Sequence, residues 1–274
     1  MEHICLDREF LLAIETRSST EPDHLWSKVP QVTLAFWCVK ILATTVGETG
    51  GDALSMTLKL GYAVSSLILL GFFILAMTAQ VTSKRYHPVF YWTVVVATTT
   101  VGTTTSDYLD RTVGLGYVKS SAMLLCGVIA VLAVWRFTTG HIAFENVTSR
   151  RDETFYWLAI LVSNTLGTAL GDFTATTLGL GFERGTLIFA GLIALVAAAH
   201  FFTPLADAVL FWAAYILTRP LGATLGDLLT KPHDEGGLAL GRIASSLSMI
   251  AAMVVVILLT SQRKRPAAIA SEGS

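Results

Sequence analysis

Four aspartates, Asp52, Asp107, Asp172 and Asp227, each stand fifteen positions after a tryptophan (Trp37, Trp92, Trp157 and Trp212). Residues eight, eleven or twelve, and fifteen after that Trp share one helical face. In the first copy the face carries Thr45, Glu48, Thr49 and Asp52, and in the second Thr100, Thr103, Thr104 and Asp107. The third carries Thr165, Thr168 and Asp172, the fourth Thr224 and Asp227. A face of hydroxyls ending in a carboxylate, with no convergent Cys or His, offers oxygen ligands. Such ligands suit a hard cation such as Mg²⁺, Mn²⁺, Ca²⁺ or Na⁺, or a proton, rather than zinc or copper. An ionisable residue inside a membrane span costs at least ~2.5–3.5 kcal/mol unless it finds a partner or water, so a function is its default meaning. The competing meaning is local: Asp before a short turn caps a helix N-terminus, and Thr bonds back to its own helix. On the first reading, Asp52, Asp107, Asp172, Asp227 and Glu48, with Thr45, Thr100 and Thr165, form an ion or proton site. The four Asp are then the candidate metal ligands, and no cofactor is expected.

These residues lie in a segment that occurs four times in variant form, beginning as WCVKILATTVGETGGD at Trp37. Such a repeat must be explained before any single site. Each copy has a Gly ten positions after its Trp and a small residue four further on. These give the pairs Gly47/Gly51, Gly102/Ser106, Gly167/Gly171 and Gly222/Gly226. Small residues at that spacing let two helices approach closely where lipid supplies no hydrophobic drive, so the stripe predicts helix packing. After each signature comes a short turn of LGLG type and then a long apolar run, about 62–79, 117–135, 186–202 and 243–260. Each run is close to the ~20 residues needed to cross a bilayer. The signature segments are less apolar but similarly long, so two helices per repeat predict eight spans. The architecture expected is all-α and polytopic, with four two-helix repeats at about 30–83, 84–140, 150–203 and 204–262. An even number of helices per repeat relates the copies by rotation about the membrane normal rather than by inversion.

Of the 274 residues, 53% are hydrophobic and only 14% are charged, with a mean hydropathy of +0.62; soluble domains carry about 25% charged residues. A net charge of −1 excludes a nucleic-acid footprint. Cys5, Cys38 and Cys126 have no metal or disulfide spacing and read as small buried residues. Residues 1–29 form a polar tail without signal-peptide character, with one short amphipathic turn at 10–14, and 263–274 form a basic C-terminal tail. The linkers between repeats and the two tails hold eleven of the nineteen Lys and Arg residues. The positive-inside rule puts that face and both termini in the cytoplasm. Fifteen helical residues then carry each Asp roughly 22 Å from its interfacial Trp, into the outer part of the membrane.

The copies differ where charge is concerned. Only the first has Glu48 and Lys40, and Lys40 either snorkels to the inner interface or pairs with a carboxylate. Only the second has Asp110 beside Arg111. The fourth has Arg219-Pro220, where Arg219 is placed to neutralise one Asp and Pro220 to open the helix. The fourth loop is five residues longer and inserts Lys231 through Glu235, either a lid or partner contact on the outer face or a solvated loop. The LGLG glycines lack a Walker lysine and a following βα unit, which argues against nucleotide binding.

The FW…TTxG…GD signature, four times over with LGLG-type turns, resembles the bacterial membrane proteins built from a two-helix repeat of unknown function, the uncharacterised membrane-anchored proteins. The resemblance covers about 29–259 and implies a bacterial inner membrane, without implying a substrate. GETGGD at 47–52 also resembles the Glu-x-Gly-Asp motif of small cation/proton exchangers, with one more residue between the carboxylates and without their Lys/Arg-Thr/Ser companion. The function expected from the residues is transport of a small hard cation, divalent or proton-coupled. The lipid bilayer and the cation are the partners, and no enzymatic nucleophile is visible. The rival is a scaffold or sensor whose Gly/Asp repeat serves packing and capping.

Overall fold

The computed structural model describes residues 30–83, 86–142, 147 and 149–263. The two tails, the 10–14 turn, Cys5 and the basic residues at 8, 17, 28, 84, 85, 264 and 265 lie outside the described residues. The described residues form eight long helices: α1 (Leu34–Asp52), α2 (Gly61–Thr82), α3 (Pro88–Asp107), α4 (Tyr117–Thr139), α5 (Arg150–Asp172), α6 (Gly181–Phe202), α7 (Asp207–Thr230) and α8 (Arg242–Arg263).

The sequence specifies where the odd-numbered helices begin. Thr33 caps α1 by accepting from the Phe36 amide at 3.3 Å, and Pro88 sits at the start of α3, where a missing N–H costs nothing. Ser149 caps α5 through the Asp152 amide at 3.0 Å, and the other carboxylate oxygen of Asp152 accepts from the Trp135 indole at 2.8 Å. That bond ties the longest linker back onto α4.

The odd-numbered helices touch one another in a closed ring, α1 on α3, α3 on α5, α5 on α7 and α7 on α1. Each even-numbered helix crosses to the following repeat: α2 packs on α3, α4 on α5, α6 on α7, and α8 returns to α1. No repeat is therefore a self-contained unit, because each carries the outer cover of its neighbour.

Glycine makes this closeness possible. A Cβ on Gly47 would collide with the side chain of Thr99, one on Gly167 with that of Arg219, and one on Gly222 with that of Thr44. On Gly102 it would meet the Asn164 backbone at 3.1 Å. The residue ten after the Trp in one repeat thus receives the residue seven after the Trp in the next, all the way round. One turn further on, Gly51 receives Thr103, Gly171 receives Ala223 and Gly226 receives Glu48. Hydroxyl bonds then cross the seams: Thr99 donates to the Ala43 carbonyl at 3.2 Å, Thr103 to Gly47 at 3.1 Å and Thr44 to Thr218 at 3.1 Å.

The even-numbered helices are apolar nearly all round and little buried, with Leu75, Ile129, Leu195 and Leu258 among the side chains left outside. A helix apolar on every face needs an apolar surrounding. These four and α7 are long and apolar enough to cross a membrane, which is compatible with membrane insertion. The remaining helices, α1, α3 and α5, owe their lower hydropathy to threonines and acids that face the ring. Cys38 and Cys126 are exposed on the outside of the bundle, not buried as their composition predicts.

Near one end of the ring, a layer of aromatic side chains fills the bundle. Phe36, Tyr91, Trp92, Tyr156, Trp157, Phe211 and Tyr215 are buried there, with the Tyr91 and Tyr156 hydroxyls 2.7 Å apart. At the other end lie the four aspartates. In the first three repeats a π-helical turn (Ala53–Thr57, Tyr108–Thr112, Phe173–Thr177) follows the Asp. In the fourth, α7 runs on to Thr230 and the loop forms a 3₁₀ turn, His233–Glu235.

Candidate functional site

All four aspartates are buried, at 1% to 3% exposure, and so is Glu48 at 3%. They do not form an open acidic ring, because each pair shares one base. Arg111, four residues after Asp107 on the π turn, puts Nε 3.1 Å from Asp107 and Nη2 3.6 Å from Asp172 on the next repeat. Lys231, four residues after Asp227, puts Nζ 3.3 Å from Asp227 and 3.4 Å from Asp52, again one repeat onward around the ring. Repeats two and four supply the bases, while Met56 and Thr176 occupy the corresponding places in repeats one and three.

The Lys231 side carries one more carboxylate and more bases. Carboxylate oxygens of Glu48, Asp52 and Asp227 come within 4.8 Å of one another, all buried, in a grouping suited to a metal ion. Arg242, at the start of α8, adds a contact to Asp52 at 3.5 Å. The loop holds Lys231 in place from below. Its amide donates to the Asp227 carbonyl at 2.8 Å, its own carbonyl accepts from Ala239 at 2.9 Å, and Gly237 lies so close to its backbone that no side chain would fit there. Burial works against the Lys231 ammonium, yet Asp227 and then Asp52 hold its pKa above that of an ordinary lysine.

On the ring axis, Arg219 of α7 is fully buried. Its Nη2 donates to Glu48 of α1 at 3.1 Å, to Thr168 of α5 at 2.6 Å and to Thr103 of α3. One guanidinium therefore joins all four odd-numbered helices. Pro220 beside it leaves α7 continuous, so the helix is not opened there. Arg219 pairs with Glu48 rather than with any of the four Asp. Lys40 does not snorkel: it is fully buried, with Nζ 4.1 Å from the centre of the Tyr215 ring.

Thr45, Thr100 and Thr165 are buried, and each donates to a carbonyl of its own helix, at 2.9 to 3.0 Å. The hydroxyls that reach Glu48 and Arg219 belong to Thr103 and Thr168. None of Asp52, Asp107 and Asp172 makes a side-chain cap bond to the turn that follows it. Sequence reasoning missed Arg111 and Lys231 as parts of the site. Their i+4 spacing from Asp107 and Asp227 was a visible signal, since helical neighbours four apart meet on one face.

No curated protein and no solved structure matches the chain. The family model described as Repeat of Unknown Function (DUF347) matches it four times, at residues 35–86, 90–141, 155–204 and 210–265. Those matches cover most of the 274 residues and coincide with the four Trp-to-Asp signatures, each followed by its outer helix. The chain belongs to this family, with four copies of its repeat, and each copy contributes its Asp to the charged cluster from the same position.

Proposed function

We propose that the protein is an eight-span integral membrane protein of the bacterial inner membrane, with both termini cytoplasmic and its repeats related by pseudo-rotation about the membrane normal, and that it transports a small hard cation. The supporting observation is the three-carboxylate grouping of Glu48, Asp52 and Asp227 around the Lys231 ammonium. Three buried carboxylates converge there, matched by Lys231, Arg219 and Arg242 while no ion is bound, and oxygen-only ligands favour Mg²⁺, Mn²⁺ or Ca²⁺. Lys231 acts as a tethered stand-in for the cation: it neutralises the site when empty and is displaced when a divalent ion enters. Arg219 and Glu48 then form the plug on the axis, through which the ion passes only if their pair opens.

The experiment is flux of Mg²⁺, Mn²⁺ and Ca²⁺ into proteoliposomes, with internal pH followed in parallel. Asp227→Asn and Glu48→Gln are expected to lower flux at least tenfold while the protein elutes as a folded species. Wild-type protein that moves none of these ions would end the transport reading.

A second reading is favoured by the seams, where each of Gly47, Gly102, Gly167 and Gly222 receives a side chain of the next repeat. On that reading the chain is a scaffold or sensor and the charges serve assembly. It expects Asp→Asn to move the melting temperature alone, with no ion dependence.

A further inference from the structure

Towards the aromatic end of the ring, a second group of basic atoms lies outside the carboxylate grouping. Lys40 lies on α1 two turns before Glu48, with no exposed surface and no hydrogen-bond partner for Nζ. Its neighbour is the Tyr215 face, and Tyr215 stands one turn before Arg219 on α7, the helix packed against α1. Arg219 is just as buried, and Nη2 alone is used by Glu48, Thr103 and Thr168. Its Nε and Nη1 have no partner. Of these two buried bases on adjacent helices, Arg219 alone has a carboxylate, Glu48, which also accepts from Thr103.

Burying a cation without a counter-charge is among the most expensive arrangements in a protein, and leaving N–H donors unpaired adds to it. Contact with an aromatic face offsets only part of that cost. The donors left over are an ammonium and one edge of a guanidinium, both of which take anions. Neither base has exposed surface, so a ligand held between them must be small. We propose that a halide-sized monovalent anion binds between Lys40 Nζ and the Nε/Nη1 edge of Arg219, with the Tyr215 ring as one wall. This site is separate from the carboxylate grouping, lies on the other side of the Arg219–Glu48 pair, and stands whether or not a cation is carried. It makes the charge along the ring axis alternate, with carboxylates beyond the pair and an anion before it.

The test is thermal unfolding of the detergent-purified protein in sodium chloride and sodium bromide against sodium gluconate at one ionic strength. A species bound only by the folded state raises its melting temperature with concentration. The wild type is expected to gain several degrees, saturably, in both halides, and Lys40→Met to lose that gain. Equal melting temperatures in gluconate and halide, or a halide gain kept in Lys40→Met, would overturn the site. Should Lys40→Met fail to fold, bromide-soaked wild-type crystals decide. An anomalous peak within about 3.5 Å of Lys40 Nζ, the outer limit of a hydrogen-bond contact, supports the site, and bromide found only elsewhere refutes it.

Discussion

Two acid–base bridges lie across the ring from each other, and they are built for different behaviour. Arg111 spans Asp107 and Asp172 with two edges of a planar guanidinium, and that side holds no further carboxylate from the ring axis. Lys231 spans Asp227 and Asp52 with one ammonium, and Glu48 joins them as a third acid. A guanidinium fork fixes the geometry of its two carboxylates and always keeps its charge. An ammonium on a flexible stem is a point charge that another cation can replace. On the proposed reading the same repeat position gives a fixed clasp on one side and an exchangeable one on the other. What separates them is the type of the bridging base, one extra carboxylate, and the further bases Arg242 and Arg219.

The largest effect is expected where the two sides meet. Arg219 is the partner of Glu48 and the one residue bonded to all the other ring helices. Arg219→Met should destabilise by roughly 3–5 kcal/mol, because it strands a buried carboxylate. Adding Glu48→Gln should restore a large part, since the double variant no longer buries an unpaired charge. Denaturation of the single and double variants in detergent measures this. A double variant no more stable than Arg219→Met would mean that the guanidinium matters for packing and not for Glu48.

Next in size is the contrast between the two bases. Lys231→Met and Arg111→Met should each lose about 2–4 kcal/mol in metal-free buffer, the order of magnitude for stranding buried charge. Millimolar Mn²⁺ or Ca²⁺ is expected to return most of the loss in Lys231→Met and little in Arg111→Met, because only the Lys231 side has three convergent carboxylates. At one hundred times its dissociation constant a ligand contributes about 2.7 kcal/mol, enough to be read as a shift of several degrees. Equal rescue of both variants, or of neither, would erase the distinction between clasp and exchangeable site.

The seams beneath the two bridges also differ. A Cβ on Gly222 would meet Thr44 side-chain atoms and approach its backbone carbon to 2.8 Å, whereas one on Gly102 meets α5 at 3.1 to 3.2 Å. Overpacking typically costs about 1–3 kcal/mol. Gly222→Ala should lie at or above the top of that range and Gly102→Ala near the bottom. Comparison of their melting temperatures checks the order.

Much of the architecture is legible in the sequence because it repeats. A Trp, a Gly and an Asp at fixed spacing, followed by an apolar run, specify two helices per copy, and the helices found start and end close to those marks. The five ring carboxylates are also readable, since each breaks an otherwise apolar or hydroxyl-bearing helix. Their partners are not. That Arg111 reaches Asp107 follows from i+4 spacing, but that it also reaches Asp172 depends on which repeat stands beside which in the closed ring. Lys40 shows the same limit. Its place three residues from Trp37 predicts snorkelling to the interface, but α7 and the Tyr215 ring cover it. The threonines show a finer one: the residues at eight after the Trp bond within their own helix, and those at seven and eleven cross the seams.

The smallest expected effect lies in the turns, and it follows the same division. At the second position of the LGLG-type turn, repeats two and three have Gly114 and Gly179 at φ +77° and +66°. Repeats one and four, which flank the Lys231 bridge, place Lys59 and Ala239 there at φ +58° and +53°. A side chain in the left-handed region costs roughly 1–2 kcal/mol that glycine does not incur. Ala239→Gly should therefore stabilise by up to about 1 kcal/mol once the extra freedom of glycine in the unfolded chain is subtracted. The reverse change, Gly114→Ala, should destabilise by a similar amount. Ala239 also donates its amide to the carbonyl of Lys231, so any strain at Ala239 bears directly on the loop that positions the exchangeable base. If Ala239→Gly raises stability and slows ion exchange at the Lys231 side, the strained turn helps to keep that bridge open to replacement. If it raises stability and leaves exchange unchanged, ease of exchange resides in the lysine side chain alone.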